Sequence, residues 1–273
     1  MLFFTHPQPW YRIVALAVVG ASLLTACDKD SEPAAAPATT FGPTVMVGSG
    51  SARTYVTSDA GGTPTEMGIR LTAAALEGLP AVPATGTLYE LPLPAAALKM
   101  PFDHVSFSWN PGGQAPTALY GAPHFDAHFY RQPRSSRDAI TLDDPKADLF
   151  PPVAMLPAGY QLTVANGVVG RCAAKMGRRW TNLASPEYQP GGHFSSTVAY
   201  GTYDGRVTFL APMFTKALLT PAVNFSAPIQ QPLGYAGAGK FYPARYAIRY
   251  EAATQEYVLA LGDLFQVPAP LLP

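Results

Sequence analysis

The chain predicts an all-β fold, a single sandwich or irregular barrel with short helical turns in its connections. Three observations carry that expectation. Proline at 29 and glycine at 24 of 273 residues are too frequent for long helices. Runs of aromatic and β-branched residues recur between turn signals, as strands of a pleated, half-buried surface require. Finally, Asp204-Gly205 joins two such runs, and Asp-Gly between alternating hydrophobic segments is the strongest short-range hairpin signal.

The N-terminus is expected to be an export signal over residues 1–26. Arg12 precedes residues 13–24, an apolar run of 12 residues, which suits a signal-peptide core and falls short of the roughly 20 that a membrane-spanning helix needs. The run ends in Leu24-Thr25-Ala26-Cys27, which resembles a bacterial lipobox. That resemblance implies a lipidated Cys27 as first residue of the mature protein. At about 0.8 kcal/mol per buried CH₂, several acyl chains would hold it to a membrane far more firmly than one. Residues 27–41, beginning Asp28-Lys29-Asp30-Ser31-Glu32 and continuing through Pro33–Thr40 without apolar periodicity, read as a flexible tether. The charged residues after Cys27 resemble a surface-export signal and favour the outer membrane or cell surface. Asp28 alone also resembles an inner-membrane retention signal, so the leaflet stays open.

Residues 42–273 are expected to form one β-rich domain. Strands are predicted at 67–72, 86–91, 103–109, 123–130 and 160–165, with hairpins at 196–203 and 206–213 and at 245–250 and 256–261. In the last pair Tyr246, Ile248 and Tyr250 alternate with Arg245, Ala247 and Arg249. Helical signal is confined to a turn or two at 72–78, opened by Thr72 and closed by Gly78, and at 136–140.

Charge narrows the function classes. Removing the signal leaves 17 basic against 18 acidic residues, because Arg12 is the only one of the 18 basic residues lost. A neutral surface on an exported chain gives no case for nucleic acid. Arg171, Lys175, Arg178 and Arg179 form a local basic cluster that reads as a solvated loop face or an anion site. With Cys27 acylated, Cys172 has no intramolecular disulfide partner and is expected to be a buried thiol; a reactive one would need Arg171 and Lys175 to lower its pKa.

Chemistry concentrates in residues 123–130, Pro-His-Phe-Asp-Ala-His-Phe-Tyr. On a strand, Phe125, Ala127 and Phe129 fall on one face and His124, Asp126, His128 and Tyr130 on the other. Imidazole, carboxylate and imidazole are sound ligands for zinc, iron or manganese. Yet His124 and His128 would lie about 13 Å apart on a regular strand, so one metal could be shared only if the strand bends. Partners from a neighbouring strand are easier to build, and His104, with Ser106 and Ser108 in step along 103–109, has the same strand logic; His193 is the remaining histidine. The bland alternative is a buried network in which His and Asp bond each other and Tyr130.

Other motifs fail. Gly234 to Lys240 satisfies seven positions of a phosphate-binding loop, but Phe241 stands where Ser or Thr must reach Mg²⁺, and a flexible loop is expected. The sequence contains no Gly-x-Ser-x-Gly, His-Glu-x-x-His or Cys-x-x-Cys motif.

Several segments together resemble an uncharacterised bacterial domain family named after a Thermus protein: 75–80, Pro101–Val105 with Trp109–Pro111, Pro123–Tyr130, Met176-Gly177 with Trp180, Ser185–Glu187, and Tyr200–Phe209 with Pro212-Met213. Two departures stand out. The family pattern places His where this chain has Gln114 and Arg179. The resemblance therefore implies that positions 114 and 179 neighbour His124, Asp126 and His128, and that this chain has exchanged two metal-suited side chains for an amide and a cation. An anion or substrate carboxylate near Arg179 would suit such a site better. The expected role is that of a lipid-anchored envelope protein that binds a small ligand or envelope partner or serves structurally. The alternative is a metal-assisted envelope enzyme with His124 or His128 as ligand or base and Asp126 orienting it.

Overall fold

The computed structural model describes residues 36–82, 86–165 and 168–268. The expected signal peptide at residues 1–26, the expected lipidation site Cys27 and most of the expected tether lie outside them. The fold is an all-β sandwich of two antiparallel sheets. The first sheet contains β1 (Ala38–Phe41), β2 (Val45–Val47), β3 (Gly50–Ser58), β4 (Pro64–Thr72), β14 (Asn224–Pro228), β15 (Phe241–Glu251) and β16 (Glu256–Gln266). Its order is β1-β3-β4-β16-β15-β14, with β2 also on β3. The second contains β5 (Thr87–Leu91), β6 (His104–Asn110), β7 (His124–Tyr130), β8 (Tyr160–Leu162), β11 (Arg178–Asn182), β12 (Ser196–Tyr203) and β13 (Arg206–Thr215), ordered β5-β6-β7-β13-β12-β11-β8. A separate two-stranded ribbon pairs β9 (Val164–Ala165) with β10 (Val168–Val169). Among the described residues, helix is limited to α1 (Thr117–Tyr120), α2 (Arg134–Asp138) and short 3-10 turns.

The main core lies between the sheets. Ile69, Ile248 and Leu259 of the first meet Phe107, Phe125 and Phe214 of the second. Phe107 stacks on Phe125 at 5.0 Å and stands 6.5 Å from Phe214, both within the range where aromatic pairs attract. The predicted Asp204-Gly205 turn joins β12 to β13 with both residues at positive φ, 51° and 73°, the primed geometry that matches strand twist.

Two sequence expectations shift in extent. The sheet begins inside the stretch expected to be tether, because Ala38–Phe41 pairs with Tyr55–Ser58 as an exposed edge strand. An edge strand needs no apolar period, so pattern alone could not show it. The turn at 136–140 forms two residues earlier, at Arg134–Asp138 after Pro133, whose fixed φ is suited to a helix start.

The outer faces of the sheets are finished differently. The first carries a ladder of ion pairs, Arg53 to Glu256 at 3.1 Å, Arg70 to Glu251 at 2.5 Å and Arg249 to Glu66 at 2.9 Å, as expected of a solvated face. The second is roofed by connections, and every residue of β7 is buried. Burial on both sides makes β7 the packing axis of the domain. Phe107→Ala is accordingly expected to lower the unfolding free energy by about 3–5 kcal/mol, read as a lower urea midpoint at unchanged slope.

Candidate functional site

β7 lies between β6 and β13, and its register fixes what stands beside each polar residue. Across to β6, His124 opposes Asn110, Asp126 opposes Ser108, His128 opposes Ser106 and Tyr130 opposes His104. Across to β13, His124 opposes Thr215, Asp126 opposes Met213 and Tyr130 opposes Phe209. Both ladders run without a shift over β7, so the strand does not bend and His124, Asp126 and His128 do not converge on one point. They form the floor of a polar layer under the roof of connections.

Each floor residue has its own surroundings. His124, fully buried, places Nδ1 2.7 Å from the Ala122 carbonyl and packs edge-on to Phe194 at 5.2 Å. A carbonyl only accepts, so Nδ1 carries the proton and Nε2 is left to face Asp126 Oδ1, 3.4 Å away. Asp126 Oδ2 accepts from Asn110 Nδ2 at 3.1 Å, whereas Oδ1 is shut off from solvent without a hydrogen bond. His128 lies against Tyr130 at 5.7 Å and edge-on to Phe209 at 4.8 Å. Burial pushes its pKa down to about 4; the Asp126 charge opposes this, and the Arg179 and Arg137 charges reinforce it. At neutral pH it is therefore an uncharged donor and acceptor.

Tyr130 stacks on His104 at 4.8 Å, and its hydroxyl donates to the Lys175 carbonyl at 3.2 Å, not to a floor residue. Burial raises its pKa. His104 holds Asp103 Oδ1 at 3.0 Å, and burial lowers its pKa against the pull of that carboxylate. The closed His-Asp-Tyr network expected as the bland alternative is thus absent in that form among the described residues.

The two substituted positions do come to this floor. Gln114 shares a cavity of about 300 Å³ with Asp126, His128, Tyr130 and Arg137, and its Nε2 is buried without a partner. Arg179 enters from β11 through Gly201, its cross-strand partner, and reaches Met213 Sδ at 3.8 Å and the Ala115 carbonyl at 3.5 Å, with Tyr120 5.9 Å below the guanidinium. Of its basic cluster, Arg171 pairs with Asp143 and Arg178 with Asp148 and the Gly170 carbonyl at 2.7 Å, while Lys175 borders the same cavity as Gln114. Cys172 is buried beside Ile140 and Ala147 and burial raises its thiol pKa, which suits an inert packing role. His193 is exposed.

Sequence reasoning missed the wall. Arg137 of α2 sits 2.8 Å from Glu90 Oε1 and 2.5 Å from Asp138 Oδ1, donates to Ser106 Oγ, and stands 5.3 Å over the Tyr130 ring. Ser106 in turn donates to Glu90 Oε2 at 2.9 Å. Strand alternation from His104 would have placed Ser106 on this face, but nothing marks Arg137 in a polar helical turn. Tyr120 and Glu187, joined at 3.2 Å, were also unmarked; burial raises the Glu187 pKa.

Metal binding meets a geometric obstacle. His124 Nε2 and Asp126 Oδ1 could supply two donors, but among the described residues no three His, Cys, Asp or Glu side chains are grouped to hold an ion.

The His128 surroundings give a pH prediction. Unfolded, His128 takes a proton near pH 6.5; folded, it stays neutral down to about pH 4. The unfolded chain binds more protons between those values, so this contribution is intact above about pH 6.5 and is lost as pH falls toward about 4. In urea unfolding, the stability difference between wild type and His128→Gln should shrink by up to about 1.4 kcal/mol per pH unit across that window. A difference independent of pH would contradict it.

No curated protein and no solved structure matches this chain. The family model for TTHB210-like, described as hypothetical protein TTHB210, matches residues 59–109. The matched segment supplies β4, β5 and most of β6, and with them Glu90, His104, Ser106 and Ser108 of the polar layer. The chain therefore carries a TTHB210-like segment at residues 59–109, within its all-β sandwich, consistent with the Thermus-named family of unknown function that its motifs resemble.

Proposed function

We propose that the protein is a lipid-anchored cell-envelope protein whose second sheet binds a small polar ligand between the β7 floor and the loops that roof it. One observation carries the binding reading. Buried polar atoms without partners, Asp126 Oδ1 and Gln114 Nε2, belong to side chains that border the same cavity of about 300 Å³ as the His128 ring. Unsatisfied buried groups cost about 1–3 kcal/mol each, so a purely structural network would close them. A ligand that donates to Asp126 and accepts from Gln114 would satisfy both. The cavity is at the lower end of small-molecule sites, which span about 300–1,000 Å³.

The anchor reading rests on the lipobox resemblance at Cys27 and the polar stretch after it. Among the described residues no helix is long and apolar enough to cross a membrane. Of the two leaflets, the charged residues after Cys27 favour the outer membrane or cell surface. The metal-assisted enzyme is the weaker reading, since only His124 and Asp126 of the expected donors come close together.

Cys27→Ser is expected to move the protein from the membrane to the soluble fraction with loss of the acyl mass; retention on the membrane would overturn the anchor. For the pocket, native mass spectrometry of the full chain purified from membranes should show a small organic adduct that Asp126→Asn/His128→Gln loses. Stoichiometric zinc, iron or manganese, lost in a His124 and His128 double substitution, would instead support the enzyme.

A further inference from the structure

A second cavity, of about 530 Å³, lies past the C-terminal end of β7 and shares no lining residue with the polar pocket. Among the described residues its wall contains three cationic side chains, Arg131, Arg206 and Lys240, and no Asp or Glu. Arg131 follows β7 directly, and its backbone N–H donates to the Thr208 carbonyl at 2.7 Å. Its guanidinium stands 5.3 Å over the Tyr242 ring, and its Nε is shut off from solvent with no hydrogen bond. Burial lowers its pKa, and the ionisable groups that oppose this are the phenols of Tyr200, Tyr242 and Tyr235, with no carboxylate among them. Arg131 is half-buried, with only Nε shut off, so its guanidinium charge stands at the cavity without a carboxylate partner among the described residues, and an anion brought to it would be stabilised.

The glycine-rich stretch that imitated a phosphate-binding loop forms part of this wall through Gly234, Gly237 and Lys240. The structure confirms that it is no nucleotide loop, because β15 follows it at Phe241 where a helix would be required. Gly237 and Gly239 have φ of 96° and 78°, which lets the loop fold back, and Gly239 N–H donates to the Val267 carbonyl at 2.8 Å. Lys240 Nζ donates to the Leu98 carbonyl at 2.5 Å, which holds the ammonium at the cavity while leaving its charge uncompensated. Pro101, Pro151, Pro152 and Met155 add apolar surface to the same lining.

We propose that this cavity binds an organic anion, a carboxylate or phosphate group joined to an apolar body, with the anionic group on Arg131 and the body against the proline and methionine wall. Guanidinium pairs bidentately with both anion types, and Arg206 and Lys240 add attraction at the mouth. The inference is independent of the polar pocket, since the two cavities have no residue in common.

Isothermal titration of the full chain with phenyl phosphate, benzoate, inorganic phosphate and benzyl alcohol tests it. Phenyl phosphate or benzoate should bind more tightly than both inorganic phosphate and benzyl alcohol, and more weakly as salt is raised. Arg131→Gln should weaken the better anion by about tenfold or more, the equivalent of about 1.4 kcal/mol. The Arg206→Gln/Lys240→Gln double variant should weaken it by a smaller factor, and it serves alone if Arg131→Gln does not fold. No binding of either aromatic anion, equal binding of benzyl alcohol, or an affinity untouched by these substitutions would overturn the proposal.

Discussion

The domain depends on burying β7 on both faces. One face is ordinary: Phe125, Ala127 and Phe129 complete the core between the sheets. The other carries two imidazoles, a carboxylate and a phenol, and each must be withdrawn from water when the roof closes. Removing polar groups from water is unfavourable unless partners replace it, so the roof has to bring them. It does so in part. Arg137, Ser106 and Glu90 form a closed set beside Tyr130, whose hydroxyl bonds to the Lys175 carbonyl, and Asn110 satisfies one oxygen of Asp126. Unpartnered atoms remain both on side chains that border the cavity, Asp126 Oδ1 and Gln114 Nε2, and away from it, His124 Nε2 and His104 Nε2.

The same layer explains why its chemistry is hydrogen bonding and not charge. Burial keeps His128 neutral, and the nearby Arg179 and Arg137 charges reinforce this. Among the described residues Arg179 reaches only the Met213 sulfur and the Ala115 carbonyl, whereas Arg137 is itself tied to Glu90 and Asp138. The second cavity differs on that point: its cations have no carboxylate in the wall. One strand thus ends beside a neutral polar pocket on one side and a basic cavity on the other.

The fold was legible wherever a strand has a periodic face or a signalling turn. β12 and β13 are visible through Asp204-Gly205, and β15 and β16 through the alternation of Tyr246 and Ile248 with arginines that reach the outer ion pairs. β1, β2 and β14 were missed because short strands at the margin of a sheet answer to no core periodicity, and β3 and β11, both inside their sheets, were missed because neither carries a run of large apolar residues. At the site, alternation gave the floor, and the family comparison pointed to Gln114 and Arg179, both of which the structure brings to it. It also predicted that a regular strand would keep His124 and His128 apart, and β7 is regular. The roof was illegible, because Arg137, Tyr120 and Glu187 reach the floor from irregular connections whose path is set by packing and not by local pattern.

The most direct test of the account is the stability of ligand-free Asp126→Asn/His128→Gln protein, measured by urea unfolding at about pH 7. If these side chains await a ligand, the double variant should lie within about 1 kcal/mol of wild type, since few bonds within the protein are lost. A loss of about 3 kcal/mol or more, the scale of breaking a buried polar network, would contradict a binding layer and show the β7 face to be structural.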